Sequence, residues 1–173
     1  MLSEGRWSGR DGSQHKIRLR RWILGLFICY LAMVVLLVFY KGWGGITFLR
    51  DSYASFEVWR ESMAYSLNLI PLRFLFDTDG YTARTWAINV CGNIALFIPM
   101  GVFVPVLFPK ARAWNGRQFI LKAVLLIAGI ELAQLLLMCG LGDIDDVILN
   151  VSGMSMGFAC TRLPSVKEKL SSF

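Results

Sequence analysis

Apolar residues run from Trp22 to Tyr40 without a charged side chain, 19 positions in all. At 1.5 Å per residue a helix of that length covers about 28 Å, close to the hydrocarbon thickness of a bilayer. A cleaved leader has a shorter apolar stretch and a small-residue cleavage site, which Tyr40-Lys41-Gly42-Trp43 does not supply, so the run is expected to persist as a helix. Two further apolar stretches, 86–108 and 118–138, predict a second and a third spanning helix. Pro99 and Pro105 fall inside the second, where proline bends a membrane helix more often than it ends one. A fourth stretch, 146–163, contains Asn150, Ser152 and Ser155 and predicts a helix that the other three must shield from lipid. Residues 41–85 mix five basic and five acidic side chains. Within them 56–75 has apolar residues at irregular helical spacing, broken by Pro71, which predicts an interfacial or re-entrant outer segment. Residues 1–21 are polar, basic and rich in Gly and Ser, and are expected to form a mobile tail.

The pattern describes an all-α integral membrane protein of four transmembrane helices. It has one membrane domain, 22–163, between a basic tail, 1–21, and a second tail, 164–173. Composition agrees: 55% of the 173 residues are hydrophobic and 17% charged, against a soluble norm of about 25% charged. The net charge of +6 does not point to nucleic acid, because the bases are placed by topology. Arg6, Arg10, Lys16, Arg18, Arg20 and Arg21 stop where the first apolar run begins, as in a topology signal or an anionic-lipid contact. Loop 109–117 carries Lys110, Arg112 and Arg117 with no acid, and the final tail follows Arg162 with Lys167 and Lys169 against Glu168. Loop 139–145 carries Asp143 and Asp145 with no base. Four spans with a cytoplasmic N-terminus put every net-basic segment inside, and the C-terminus with them.

His15 is the sole histidine and lies in the polar tail, which leaves no histidine-based zinc site and no Ser-His-Asp or Cys-His arrangement. Cys29, Cys91, Cys139 and Cys160 show no C-x-x-C spacing and read as small apolar fillers, with a Cys91–Cys139 bridge as the alternative. Trp22, Tyr40 and Trp86 at the span ends read as interface anchors.

With that topology the unusual polar residues fall at one depth, in the outer half of the membrane. Asn89 and Asn93 sit four apart on the second span and Glu131 and Gln134 three apart on the third, so each pair shares a helix face. Asp146, Asn150, Gly153 and Gly157 line one face of the fourth, behind Asp143 and Asp145 at its mouth. Gly92 and the Gly153/Gly157 pair are expected to let backbones approach closely. A charged, unpartnered carboxylate at the depth of Glu131 costs about 2.5–3.5 kcal/mol on insertion scales. Glu131 must therefore be protonated, paired (Arg73 and Arg84 are the outer-segment bases) or metal-bound.

Four stretches resemble the VanZ-like family of bacterial membrane proteins: Asn68-Leu69-Ile70-Pro71; Asn89-x-x-Gly92-Asn93-x-x-x-Phe97-x-Pro99-x-Gly101; Glu131-x-x-Gln134; and Asp143-Ile144-Asp145-Asp146-x-x-x-Asn150-x-x-Gly153. They keep the family's order and cover about 66–158. The chain departs from the pattern at Gly140, where the family usually has an arginine that would act as counter-ion to the acids. The resemblance implies a cell-envelope protein of the bacterial plasma membrane, in a family whose name-giving member is linked with low-level teicoplanin resistance.

Each polar group also has a structural explanation. Asn89 and Asn93 can hydrogen-bond across helices for about 0.6–2 kcal/mol per contact, Asp146 can be an N-cap with Asn150 packed beneath it, and Asn68 with Pro71 can form the turn that fixes the outer segment. For Glu131 with Asp143, Asp145 and Asp146 the expectation is functional, because four neighbouring carboxylates repel unless something cationic sits among them. That could be a divalent ion held by Glu131, Asp143 and Asp145, a basic side chain, or a basic ligand group. The preferred function is binding of an amphiphilic envelope molecule or membrane lipid in an outward-facing polar crevice. The rival is a carboxylate- or metal-dependent hydrolase or transferase acting on an envelope lipid, for which no nucleophile or phosphate-cradling loop is evident. A small transporter is third; it would need a homo-oligomer, and the inner halves of the spans carry few polar residues.

Overall fold

The computed structural model describes residues 8–40, 56–65, 67–73, 82–137 and 142–171. Among them the order is α1 (Ser8–Tyr40), α2 (Phe56–Tyr65), β1 (Leu67–Asn68), α3 (Ala83–Leu107), α4 (Pro109–Arg112), α5 (Gly116–Leu136), β2 (Gly142–Asp143), α6 (Ile144–Cys160) and α7 (Pro164–Ser171). Three helices are long and apolar enough to cross a membrane, over Gln14–Phe39, Trp86–Leu107 and Gly116–Leu136. These match the first three expected spans. The expected fourth, α6, has 17 residues, about 26 Å, and ends at Cys160 rather than Leu163 because the chain turns there into α7.

α1 corrects one expectation. The helix begins at Ser8, so the stretch expected as a mobile tail is helical from there on. Residues 14–21 contain no proline, and Gln, Lys and Arg are good helix formers, so a helix formed in the apolar run propagates back through them.

Contacts between helices fix their directions. The Tyr30 hydroxyl donates to the Leu96 carbonyl and Arg20 to that of Leu107, so α1 and α3 are antiparallel. Glu131 lies beside Asp143 and Phe119 stacks on Phe158, so α5 and α6 are antiparallel. Gly153 abuts the Ile94 carbonyl and Gly157 that of Ile98, so α3 and α6 run parallel. A Cβ at Gly101, Gly153 or Gly157 would collide with backbone of the facing helix. That absence of side chains is what brings α3 and α6 together. Gly92, expected to serve the same purpose, has nothing among the described residues within 4 Å of where a Cβ would lie.

The core is built of Phe27, Val34, Phe97, Met100, Phe119, Ile127, Met154 and Phe158, all buried. Leu24, Leu26, Ile28 and Leu36 of α1 and Leu121 and Leu125 of α5 are exposed. A water-soluble protein rarely carries so continuous an apolar exterior, and a lipid-facing one requires it.

The outer segment also differs from expectation. Its helix stops at Tyr65, and the chain then makes a two-residue strand paired in parallel with β2, Leu67 opposite Gly142 and Asn68 opposite Asp143. At the other end of the bundle Arg112 donates to the carbonyls of Pro105, Val106 and Leu170. Arg162 donates to those of Arg112 and Trp114 and lies over the Phe158 ring. The helix ends at Leu107, so the carbonyls of its last turn lack their usual N–H partners, Pro109 having none to give to Pro105, and a guanidinium fork satisfies them. Cys29, Cys91 and Cys160 are free thiols; Cys139 and Gly140 lie outside the described residues.

Candidate functional site

The polar residues gather at the end of the bundle opposite Arg112 and Arg162. Asp143 organises them. Its pairing in β2 holds the backbone extended, as an N-cap requires, and its carboxylate accepts the Asp145 N–H at 2.8 Å. Asp143, rather than Asp146, therefore caps α6. The same oxygen accepts the Asn68 amide at 2.9 Å, while the Asn68 Oδ1 accepts the Ile70 N–H at 3.3 Å. That second bond closes the turn expected around Pro71.

Leu72 follows with φ of 61°, in the left-handed region. A side chain there costs about 1–2 kcal/mol. Its N–H donates a short bond to the Asp145 carboxylate. A hydrogen bond to a charged group contributes about 1.5–3 kcal/mol, enough to offset the strain. The outer segment thus covers the mouth of α6, and Asp145 is 4% exposed.

Below the mouth, Asn93 of α3 donates a short bond to the Asp146 carboxylate. Asn89 lies half-buried one turn nearer the start of α3. On α5 the buried stripe is Phe119, Ala123, Ile127, Glu131 and Leu135, one residue every four. Glu131 holds a place in an otherwise apolar row, so it faces the bundle interior, 7% exposed, with an oxygen 3.4 Å from the Asp143 N–H. Gln134 sits to one side of that row, and its amide donates to the Val38 carbonyl of α1 at 2.9 Å. Spacing along α5 places Gln134 near Glu131 but does not decide which neighbour it reaches.

Asn150 is 6% exposed, and its Oδ1 has no hydrogen-bond partner among the described residues. It lies one turn beyond Asp146 on the same face of α6.

Burial pushes the Asp143 carboxyl above the ordinary aspartate range. The Asp145 N–H, the Asn68 amide and the positive charge of Arg73 pull the other way, and the Asp145 charge adds to the rise. Arg73 is thus a base that bears on the acidic end, and it acts on Asp143. Among the described residues no group of three His, Cys, Asp or Glu side chains is arranged to hold a metal ion. The candidates named from the sequence are Glu131, Asp143 and Asp145. Their oxygens accept main-chain N–H groups and the Asn68 amide.

Sequence reasoning missed Leu72, whose contribution is a backbone N–H in an unusual conformation and carries no signal in the residue type. It also gave Gly101 no part in packing, although its place two residues after Pro99 in an apolar helix marked it as unusual.

Long apolar helices, an apolar exterior and a cluster of polar side chains at one end define a helical membrane protein with a buried acidic centre. The chain belongs to the VanZ/LLP1 family, whose sequence model matches residues 27–165. No curated protein and no solved structure matched it.

Proposed function

We propose that the protein binds an amphiphilic cell-envelope molecule or membrane lipid in the crevice formed by Glu131, Asp143, Asp145, Asp146, Asn93 and Asn150. One observation carries the reading. Carboxyl and amide groups from three helices and the 67–73 segment meet at one end of an apolar bundle, with Glu131 and Asp145 buried there. A membrane protein of this size places buried ionisable groups at functional sites more readily than at purely structural ones. An amphiphile supplies what such a place selects, a polar head for the crevice and a tail for the lipid-facing grooves.

In this reading α6 is a fourth crossing. Its ends lie level with Glu131 and with Trp114, so it traverses the bundle beside α5. The basic end, with Lys110, Arg112, Arg117 and Arg162, lies in the cytoplasm with both termini, and the acidic end opens outward from the bacterial plasma membrane. A consequence at the level of the cell is altered susceptibility to glycopeptides such as teicoplanin.

The experiment is native co-purification from membranes, with lipid analysis of wild type, Glu131→Ala and Asp145→Ala side by side. A species retained by wild type and lost by both variants is expected. Identical lipid content in all three, with each variant inserted normally, would refute the proposal.

A further inference from the structure

We propose that the 67–73 segment is a lid, and that an amphiphile reaches the crevice only when this segment swings off the start of α6. The proposal rests on the binding role above and specifies its regulation. Glu131 and Asp145 are 7% and 4% exposed, so a headgroup cannot touch either until a covering element moves. The helices around them are poorly suited to moving. α3 and α6 are seated backbone against backbone at Gly101, Gly153 and Gly157. α5 is fixed to α6 by the Phe119–Phe158 stack and to α1 by the Gln134 amide on the Val38 carbonyl. The 67–73 segment is different. None of its residues is buried, and Leu69 and Ile70 are 66% and 63% exposed. Its ties are polar and aimed at the first residues of α6. They include the Asn68 amide on Asp143, the Leu72 N–H on Asp145, the charge of Arg73 acting on Asp143, and the short pairing of β1 with β2. A segment with so little buried apolar surface opens locally while the rest of the fold stays intact.

Leu72 provides an independent indication of a switch. Its φ of 61° is a strained conformation for a side chain of this size, and it occurs where the segment meets Asp145. Strain of this kind persists only where the surroundings enforce it, and it concentrates at ligand clamps and switch segments. Here the bond to Asp145 is part of what enforces it. When the segment lifts, Leu72 relaxes to an ordinary conformation and Asp145 is uncovered in the same step. The strain therefore favours opening, and the polar ties to α6 oppose it.

The test uses the full chain with Cys29, Cys91, Cys139 and Cys160 changed to Ala and a cysteine pair introduced by Leu67→Cys and Gly142→Cys. These positions face each other across β1 and β2, and a Cβ at 142 would lie 3.1 Å from the Leu67 side chain, so a disulfide there pins the lid shut. The protein is purified from membranes with its bound lipid and mixed with micelles of deuterium-labelled total lipid from the same host. Mass spectrometry then follows replacement of the retained species. Oxidation should slow replacement by at least about tenfold, and reduction should restore the rate. Leu72→Gly, in the unpinned protein, is a second variant. Glycine takes a φ of 61° without strain, so it favours the closed lid and should slow replacement by about threefold once its own flexibility is counted. Leu72→Ala keeps the strain and should leave the rate near wild type. If replacement is as fast with the disulfide closed as with it reduced, the lid fails while the binding role stands. If the reduced protein retains no species, the binding role fails and the lid with it.

Discussion

The glycine seam between α3 and α6 yields predictions of opposite sign from one kind of substitution. In Gly153→Ala the new methyl would be driven into the Ile94 carbonyl, which belongs to a helix backbone and cannot rotate aside. Overpacking of a filled interior costs about 1–3 kcal/mol, and separating the helices also forfeits Cα–H···O contacts of about 0.5–1 kcal/mol each. The gain in helix propensity from Gly to Ala is about 1 kcal/mol at most, and it shrinks toward zero where the unfolded reference is itself helical, as in detergent. The net expectation is a loss of about 1–3 kcal/mol. Among the described residues Gly92→Ala and Gly129→Ala meet nothing within 4 Å. Their expectation is a gain between about zero and 1 kcal/mol. Unfolding by SDS titration in mixed micelles, read by circular dichroism at helix-sensitive wavelengths and by tryptophan fluorescence, separates the two classes. Gly153→Ala at wild-type stability beside a destabilised Gly92→Ala would show that the seam has been misplaced.

Two further outcomes are expected. Because the Asp143 carboxyl is raised by burial, the folded protein holds its proton more tightly than the unfolded chain. Its contribution to stability is therefore fully present below the ordinary value of 3.8 and declines as pH rises from there through the folded-state value. Wild type should lose stability relative to Asp143→Asn across that window, and parallel pH profiles would contradict the assignment. Arg112→Lys should weaken the tie to Pro105, Val106 and Leu170, because one ammonium cannot reproduce the fork, and cost about 1–3 kcal/mol. Faster proteolysis within Pro164–Ser171 is the readout, and unchanged cleavage would count against the tie.

The long helices were legible because an apolar run of about 20 residues has few other solutions. Two of the contacts that bring the polar end together were not legible in the same way. The β1–β2 pairing joins Asn68 to Asp143 across 75 positions, and two residues of strand leave no periodicity to read. Asp143, Asp145 and Asp146 all suit a helix start. The N-cap was decided by that pairing, which extends the backbone at Asp143. Glu131 was readable as interior because any charged group in a span must avoid lipid. Gln134 was not, since an amide can satisfy itself on any neighbouring helix and here reaches Val38. The early start of α1 was hidden by composition: Gly, Ser and basic residues resemble a tail until an adjoining apolar run extends helix through them.

The parallel contact of α3 with α6 also sets an order of events during synthesis. The ribosome completes α3 at Leu107 but must add a further 53 residues before α6 ends at Cys160, roughly 3–10 s at common elongation rates. Through that interval Gly101 and the Ile94 and Ile98 carbonyls wait for the neighbour they are shaped to receive. A nascent chain halted before residue 144 would leave that notch open to whatever helix the insertion machinery or the bilayer offers.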